Sequence, residues 1–541
     1  MRQSKPLTQP GFRTGTVGER ARSTQLAKLK PLDVAAQFSH ARALFFEGRL
    51  AEAMGILDVA LGLDPALKQQ LRQLGSELWA DGRRDAAVAL LMHASRLPQS
   101  ETASLIDLAG MLIEVGQWES AVGAALIAVQ RQPGSAMAQG HLGSALFRLG
   151  QFQAALSPLI TAVEGRPDDA NLQVNLSAVL LSLGHFTPAL AFSREAAQRT
   201  PGLFQAHLNA SAALAGLGRL PEAEAAAREA VAAAPHNPEV RCGLGAQLLS
   251  MGSLTSEAWT LYEARLDLTS VVHKLPKFAQ WRGEACAGRT VLVHAEQGLG
   301  DTLQFARYLP MVAARGARVI LVVQPELRPL LKDFPGVNHL LSVGEALPAF
   351  DSFAPLLSLP GIFGTTLASI PPVVPITADP TRVERWRLPP EREGQLQVGL
   401  VWAGNRSFVH DATRSIAAVQ LTPLSTVPGI RLHSLQKSLE TPAPFQLLDR
   451  MDDIKSFADT AALVSGLDLV ITIDSAVAHL AATMGKEVWL LSRFAGCWRW
   501  LRDREDTPWY PTMRLYRQAH YGEWGPVISR VRQDLAKRCF R

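Results

Sequence analysis

Residues 142–167, LGSALFRLGQFQAALSPLITAVEGRP, decide the fold of the N-terminal half. Two Ala- and Leu-rich runs flank Gly150, and Pro167 closes the second. Glycine suits the left-handed cap that ends a helix, and proline stops the next one. The stretch therefore reads as helix, tight turn, helix. Working outward, the same punctuation returns every 34 residues, at Gly48, Gly82, Gly116, Gly150, Gly184, Gly218 and Gly252. Five residues after each of the first six stands an alanine: Ala53, Ala87, Ala121, Ala155, Ala189 and Ala223. Seven further on stands another: Ala60, Ala94, Ala128, Ala162, Ala196 and Ala230. Prolines close most units, at Pro65, Pro133, Pro167, Pro201 and Pro235, with Pro98 one position early. The alanines mark places where two helices approach too closely for a larger side chain. A fixed period of helix pairs predicts a stacked α-solenoid over residues 34–268. The seventh unit departs from the pattern: one residue is inserted before Ala258 and no proline follows. It reads as the junction with the next domain.

The pattern resembles the tetratricopeptide repeat, a solenoid whose first helices line a concave face. Nine residues before each glycine the chain reads Ser39, Gln73, Asp107, His141, Asn175, Asn209 and Gly243. Six of these seven are polar, on helices otherwise rich in Ala and Leu. The resemblance implies that this position points into the groove. In the repeat domain of O-linked N-acetylglucosamine transferases, asparagines here grip a peptide backbone. A primary amide can donate to C=O and accept from N–H. Gln73, Asp107, His141, Asn175 and Asn209 are thus the candidate contacts to a protein or peptide partner. The plainer reading stands beside it: these are consensus residues that meet only water, and His141 is a solvated groove residue rather than a ligand.

The chain's 541 residues exceed one core and imply two to four domains. Hydrophobic residues make up 47% and charged residues 19%, the balance of a folded protein. No apolar run reaches the ~18 residues of a membrane span, and the N-terminus carries no apolar secretory core. Cys242, Cys286, Cys497 and Cys539 are scattered and form no CxxC, which suits a reducing, cytoplasmic setting and calls for no structural zinc. The net charge of +5 is local. The first 30 residues hold seven basic side chains against one acid, so the rest of the chain is close to −1. A basic leader over residues 1–33 is therefore expected to be disordered, whereas a nucleic-acid protein carries its charge on a folded face.

After residue 270 the period stops. Residues 269–288 read as a linker and LPKFAQWRGE lies within it. Strands and helices then alternate. TVLVHAEQ reads as a strand running into GLGD, followed by a helix over residues 302–314 and a strand RVILVV at 318–323. LQVGLVWAG, from 396, opens a second series: IRLHSLQK, helix SFADTAALVSG, strand LVITI, helix SAVAHLAATMG and strand EVWLL. A Pro-rich hinge at 373–395 divides a first lobe, 289–372, from a second, 396–541. Two Rossmann-like lobes facing a cleft follow, and ligands bind such sheets beyond the carboxyl ends of the strands.

Two motifs fall at those ends. In Gly298-Leu299-Gly300-Asp301 the glycines allow a tight turn and Asp301 stands at a helix start. An ordinary turn with Asp301 as N-cap is the bland alternative. The glycines do not complete a dinucleotide GxGxxG fingerprint. In TIDSAVAHLAATMG (472–485), Asp474 and Ser475 end a strand and small residues follow, so backbone N–H groups are open to an anion such as a diphosphate. Capping is again the alternative for Asp474 and Ser475, and a satisfied core histidine for His479. By position, Asn405 and Arg406 follow the first strand of the second lobe, Arg414 lies in the next polar loop, and Gln436 and Lys437 follow SLQK. Positive groups there suit a departing diphosphate; surface charge is the alternative.

QGLGDTLQFARYLP and DLVITIDSAVAHLAATMGKEVWLL together resemble the heptosyltransferase-like glycosyltransferases of family 9, over residues 289–518. The resemblance implies a fold of class α + α/β: a tetratricopeptide α-solenoid followed by a GT-B fold of two Rossmann-like lobes. It implies that Asp301 is the base and that Asp474-Ser475-Ala476, where the family has Asp-Thr-Gly, binds the donor diphosphate, with Gly298, Gly300 and His479 lining the site. It also implies a metal-independent hexosyl- or heptosyl-type transfer from a nucleotide sugar, with no further cofactor. Acceptor-recognition residues of true heptosyltransferases have no match. Trp498, Trp500, Trp509, Tyr510 and Tyr516 read as lobe packing, and GPVISRVRQDLAKRCF as a terminal helix crossing back to the first lobe. The rival is a non-enzymatic protein-binding scaffold whose second half is a degenerate transferase fold.

Overall fold

The computed structural model describes residues 33–97, 101–268, 276, 278–387, 395–405, 411–437 and 442–539. The basic leader up to residue 32, residues 269–275 and 277 of the linker, part of the hinge and Arg406 lie outside the described residues. The chain forms two compact units that divide between Pro201 and Gly202. The division falls inside the repeat array, not at the linker.

The first unit holds five helix pairs: α1 (Val34–Glu47) with α2 (Leu50–Leu63), α3 (Lys68–Ala80) with α4 (Arg84–Arg96), α5 (Thr102–Glu114) with α6 (Trp118–Arg131), α7 (Ala136–Arg148) with α8 (Phe152–Gly165), and α9 (Ala170–Ser182) with α10 (Phe186–Arg199). The second unit opens with two more, α11 (Phe204–Gly216) with α12 (Leu220–Ala233) and α13 (Pro238–Ser250) with α14 (Ser256–Tyr262). All seven period glycines have φ between 74° and 82°. The residue after each donates its N–H to the carbonyl five positions back, for example Gln151 to Leu146 at 2.9 Å and His185 to Leu180 at 2.8 Å. That bond closes the helix end and reverses the chain. The twelve period alanines are 0–6% exposed. Any larger side chain there would force the paired helices apart. Asp33, Ser135, Asp169 and Asn237 cap first helices by accepting backbone N–H bonds.

The rest of the second unit is two parallel sheets. In the first lobe β1 (Thr290–His294), β2 (Arg318–Val323), β3 (His339–Ser342) and β4 (Ser352–Pro355) stand in the order β3-β2-β1-β4. In the second, β5 (Leu396–Val401), β6 (Ile430–Ser434), β7 (Leu469–Ile473), β8 (Glu487–Ser492) and β9 (Met513–Arg517) stand in the order β6-β5-β7-β8-β9. The seven pairings between these strands are parallel. The continuous apolar runs VLV and LVITI are buried because helices cover both faces of such sheets. The chain winds outward from β1 and returns beside it as β4. It winds outward from β5 and returns beside it as β7. These reversals are the switch points where parallel sheets open a crevice.

Several expectations change. The helix expected over 302–314 starts at Leu299 and breaks in two, α15 (Leu299–Phe305) and α16 (Leu309–Ala314), joined by a 3-10 turn. Pro310 has no N–H to continue the α-helical ladder across that join. β3, β4 and β9 are short strands that the residue pattern does not announce. β9 lies in the Trp- and Arg-rich stretch, where Trp498, Trp500, Trp509, Tyr510 and Tyr516 are all buried as expected. The helices expected from SFADTAALVSG and SAVAHLAATMG are α17 (Phe457–Ser465) and α18 (Ala476–Thr483). The terminal helix α19 (Gly525–Cys539) packs on its own lobe, against residues 418–425 and β9, rather than crossing to the first. Its apolar face, Val527, Ile528, Val531 and Leu535, is buried there, and Arg532 reaches Thr426 at 3.2 Å.

Candidate functional site

Asp301 is the third residue of α15, just beyond the carboxyl end of β1. Its Oδ2 accepts the N–H of Gly298 at 3.0 Å, which caps the helix. Its Oδ1 pairs with Arg499 Nη2 of the second lobe at 2.5 Å. The capping role and the cleft position are therefore both real. Gly300 has a different reason to be glycine. A Cβ there would lie 2.5 Å from the ring of His479, so the two lobes meet backbone to imidazole. α15 packs across the cleft on α18, and both motif helices share one interface.

Asp474 directly follows β7 and Ser475 is the N-cap of α18. Burial pushes the Asp474 carboxyl up; Trp500, Arg499, Arg414 and Arg493 hold it back. The Asp474 carbonyl accepts Arg414 Nη1 at 2.8 Å. Ser475 Oγ lies 2.9 Å from Thr472 Oγ1, leaving the first turn of α18 without a side-chain cap. A helix N-terminus in that state attracts an anion. Arg499 is buried: burial works against its charge, but Asp301 and its other neighbours outweigh this and its pKa is raised. Arg493, directly after β8, is pushed down by burial and donates to Thr413 Oγ1 at 2.6 Å. Arg307 donates to the carbonyl of Trp509 at 2.8 Å and lies 4.9 Å over the Tyr510 ring. Arg414, Arg493 and Arg499 thus surround Asp474, with Asp411 paired to Arg414 and Asp301 to Arg499. Arginines beside a helix start that has no side-chain cap suit a diphosphate.

The remaining expected residues divide. Arg414 sits inside the cluster, its Nε on Asp411 Oδ1 at 2.9 Å. Gly404 is required beside it, because a Cβ would collide with the Asp411 carboxylate and the Arg414 guanidinium. Asn405 and Lys437 are exposed at the ends of β5 and β6. Gln436 Oε1 accepts the N–H groups of Trp402 and Ala403 at 3.1 and 2.8 Å, so the amide braces the VWAG turn. His479 is 4% exposed, bonds Tyr510 at 3.0 Å and stacks on Trp500 with ring centroids 5.1 Å apart. Burial, then Arg499 and Arg307, push its pKa down to about 3. It is a core histidine at the lobe interface. Sequence reasoning missed Arg493 and Arg499. The signal available was their place after β8, at the carboxyl edge of the sheet.

In the solenoid, the polar positions bond to the chain itself. Gln73 donates to Glu77 on its own helix at 3.0 Å. Asp107 pairs with Arg72 of the preceding unit at 2.5 Å. His141 meets the Ile106 carbonyl at 2.9 Å, its ring over Gly110, and burial pushes its pKa down. Asn175 Nδ2 donates to Ser144 Oγ at 2.9 Å. Asn209 is half-buried on α11. Three of these residues tie one first helix to its predecessor, a role in register that the sequence reading did not weigh.

Comparison with known proteins fits this architecture. The tetratricopeptide-repeat family matches residues 106–171 and 142–204. The glycosyltransferase family 9 (heptosyltransferase) family matches residues 430–490, which span β6 to β8 and include Asp474. Protein FlbA of Caulobacter vibrioides is 28% identical over 322 residues, 53% of this chain and 53% of that protein. The chain thus spans about half the length of the curated relative it matches. Among solved structures, TTC0263, a thermophilic tetratricopeptide protein of Thermus thermophilus, is 25% identical and covers 31% of this chain and 92% of its own, with a TM-score of 0.28. MamA of Desulfovibrio magneticus is 18% identical over 31% of this chain and 92% of its own, with a TM-score of 0.27. The chain carries tetratricopeptide repeats and a glycosyltransferase family 9 domain.

Proposed function

From a chain that joins tetratricopeptide repeats to a family 9 glycosyltransferase domain, we propose an enzyme that moves a sugar from a nucleotide-sugar donor to an acceptor hydroxyl, with a protein acceptor recruited by the repeats. The observation that carries the reading is the Asp301–Arg499 pair beside the start of α18. It joins a carboxylate at the switch point of one sheet to an anion-attracting helix at the switch point of the other. Asp301 takes the proton of the acceptor hydroxyl. The oxygen attacks the anomeric carbon as the bond to the nucleoside diphosphate breaks. The start of α18, Arg414 and Arg493 stabilise the leaving diphosphate. Both oxygens of Asp301 keep a lone pair beyond their present bonds, so the carboxylate can hold a hydroxyl while Arg499 orients it.

A non-catalytic scaffold is the second reading. The same pairing favours it, since a carboxylate shared between a helix cap and an arginine also serves as a lobe clasp. Donor turnover by Asp301→Asn decides. We expect about a hundredfold loss or more in kcat, with nucleotide-sugar affinity within a few-fold by calorimetry. Wild-type-like turnover would remove Asp301 from the chemistry. No binding of any UDP, GDP or ADP sugar by the wild type would favour the scaffold.

A further inference from the structure

We infer that the last two repeats are part of the transferase framework: Trp259, Tyr262 and Arg265 of the seventh unit, with the Ala215 carbonyl of the sixth, position the Arg499-bearing loop and the loop that leads to Asp301. This deepens the proposed function and rests on it.

The loop at 497–503 supplies the first argument. Leu501 and Asp503 both have φ of 54°. Side chains other than glycine avoid that region, and such strain persists only where the surroundings over-determine it. Much of the surroundings comes from the repeats. The Trp498 ring meets Trp259 at 5.8 Å and Tyr262 at 5.5 Å, both edge to face. Helix α13 packs on the 498–500 turn. Arg502 donates to the Ala215 carbonyl at 3.3 Å. On its other side Trp498 meets Phe305, on the helix that carries Asp301, at 6.2 Å, and Trp509 of the second lobe at 6.2 Å. One indole is therefore shared by the last repeat and both lobes. Arg499 follows it directly, with its guanidinium 4.6 Å over that ring.

The second brace is buried. Arg265 is 1% exposed. Its Nη2 donates to Glu296 Oε1 at 2.9 Å and to Ser358 Oγ at 2.8 Å, and its Nη1 to Glu263 Oε2 at 2.7 Å. Glu296 lies between β1 and Gly298, on the segment that delivers Asp301. Trp259 Nε1 donates to the Thr365 carbonyl at 2.8 Å, and Tyr308 bonds the Thr365 hydroxyl at 2.9 Å. A buried ion pair adds little net stability compared with apolar packing, so its worth here lies in fixing geometry. The seventh unit holds the Asp301 loop through Arg265 and the Arg499 loop through Trp498, and those loops meet in one ion pair.

The test uses the full chain with two independent readouts: amide hydrogen exchange over 497–503, and kcat and KM for nucleotide-sugar turnover, with water or acceptor as the receiving nucleophile. Trp259→Ala and Arg502→Ala should each speed exchange in 497–503 at least tenfold. They should lower kcat tenfold or more while donor KM stays within twofold. Trp259→Phe, which keeps a ring against Trp498, should recover most of both. Arg502→Ala removes a half-buried side chain and carries the test if Trp259→Ala does not fold. Exchange within twofold of wild type in a folded variant, or a loss confined to acceptor KM, overturns the inference. If the wild type turns over no nucleotide sugar, the proposed function fails, and the exchange measurement still decides whether the repeats brace the loop.

Discussion

Among the described residues of the seven repeat units every left-handed turn is a glycine, Gly48 through Gly252. In the 497–503 loop the left-handed positions are Leu501 and Asp503. The repeats place the permissive residue where the backbone needs it, and each turn is closed by hydrogen bonds within its own unit. Inside the loop, backbone bonds from Trp500 to Cys497 and from Leu501 to Trp498, at 3.1 Å each, close the 498–500 turn, and the rest of its support comes from farther along the chain. It is held by Trp259, Tyr262 and Ala215 from the repeats and by Phe305 and Trp509 from the lobes. A turn stabilised by its own residues tolerates change elsewhere. A turn stabilised by distant neighbours transmits their state, which suits a segment that carries Arg499 to Asp301.

The comparison extends to two glycines that serve opposite purposes. Gly150 has φ of 74° and open space around its Cα, whereas Gly300 lies in α15 against the His479 ring. Gly300→Val should give the largest stability loss of the set. The added side chain must displace an imidazole that is 4% exposed and wedged under Trp500. Overpacking of this kind costs about 3 kcal/mol, and urea unfolding followed at the buried tryptophans would register it. A loss below about 1 kcal/mol would mean that the lobes slide apart at little cost, and that the α15–α18 contact is not a fixed one.

The same contrast explains what could be read in the residues beforehand. A glycine cap, an alanine at a helix crossing and a proline after a helix act within one unit, so Gly150, Ala155 and Pro167 announce themselves. VLV and LVITI do so too, because central parallel strands are apolar throughout. The two motifs were legible as strand ends. Their joining was not. Arg499 lies far along the chain from Asp301, in a stretch whose tryptophans read as packing, and nothing local marks it as an ion-pair partner. The bonds of Gln436 and His479 were hidden for a related reason. A polar residue at a strand end satisfies a neighbouring backbone as readily as a ligand, and only the fold shows that Trp402, Ala403 and Tyr510 have claimed them.

His479 also sets a pH dependence on the stability of the lobes. Its folded pKa of about 3 lies below the ~6.5 of an unfolded histidine. Between those values the unfolded chain binds a proton that the folded chain does not. Stability is therefore full above about pH 6.5 and falls as the pH drops toward 3. At about 1.4 kcal/mol per pH unit, the loss attributable to His479 at pH 5 is about 2 kcal/mol. His294 in β1 and His141 in α7 are pushed down by burial as well, so His479→Phe should flatten the slope and not abolish it. Denaturant titrations of the variant at pH 7 and pH 5 check this. An unchanged slope would mean that the ring is hydrated when the lobes breathe.

Gly150→Ala gives the smallest effect and the sharpest contrast. Nothing lies within 4 Å of the position a Cβ would take, so the change makes no clash. Its only cost is the left-handed backbone, roughly 1–2 kcal/mol for a side chain with a Cβ. Because the turn is closed inside its own unit, that cost should remain there. Hydrogen exchange should quicken in the Gln151–Leu146 closure and the adjoining ends of α7 and α8, while the amides of 497–503 and nucleotide-sugar turnover stay as in the wild type. Exchange that quickened in both places would show that the repeat array transmits strain along its length. The distinction between a self-contained turn and a neighbour-held loop would then fail.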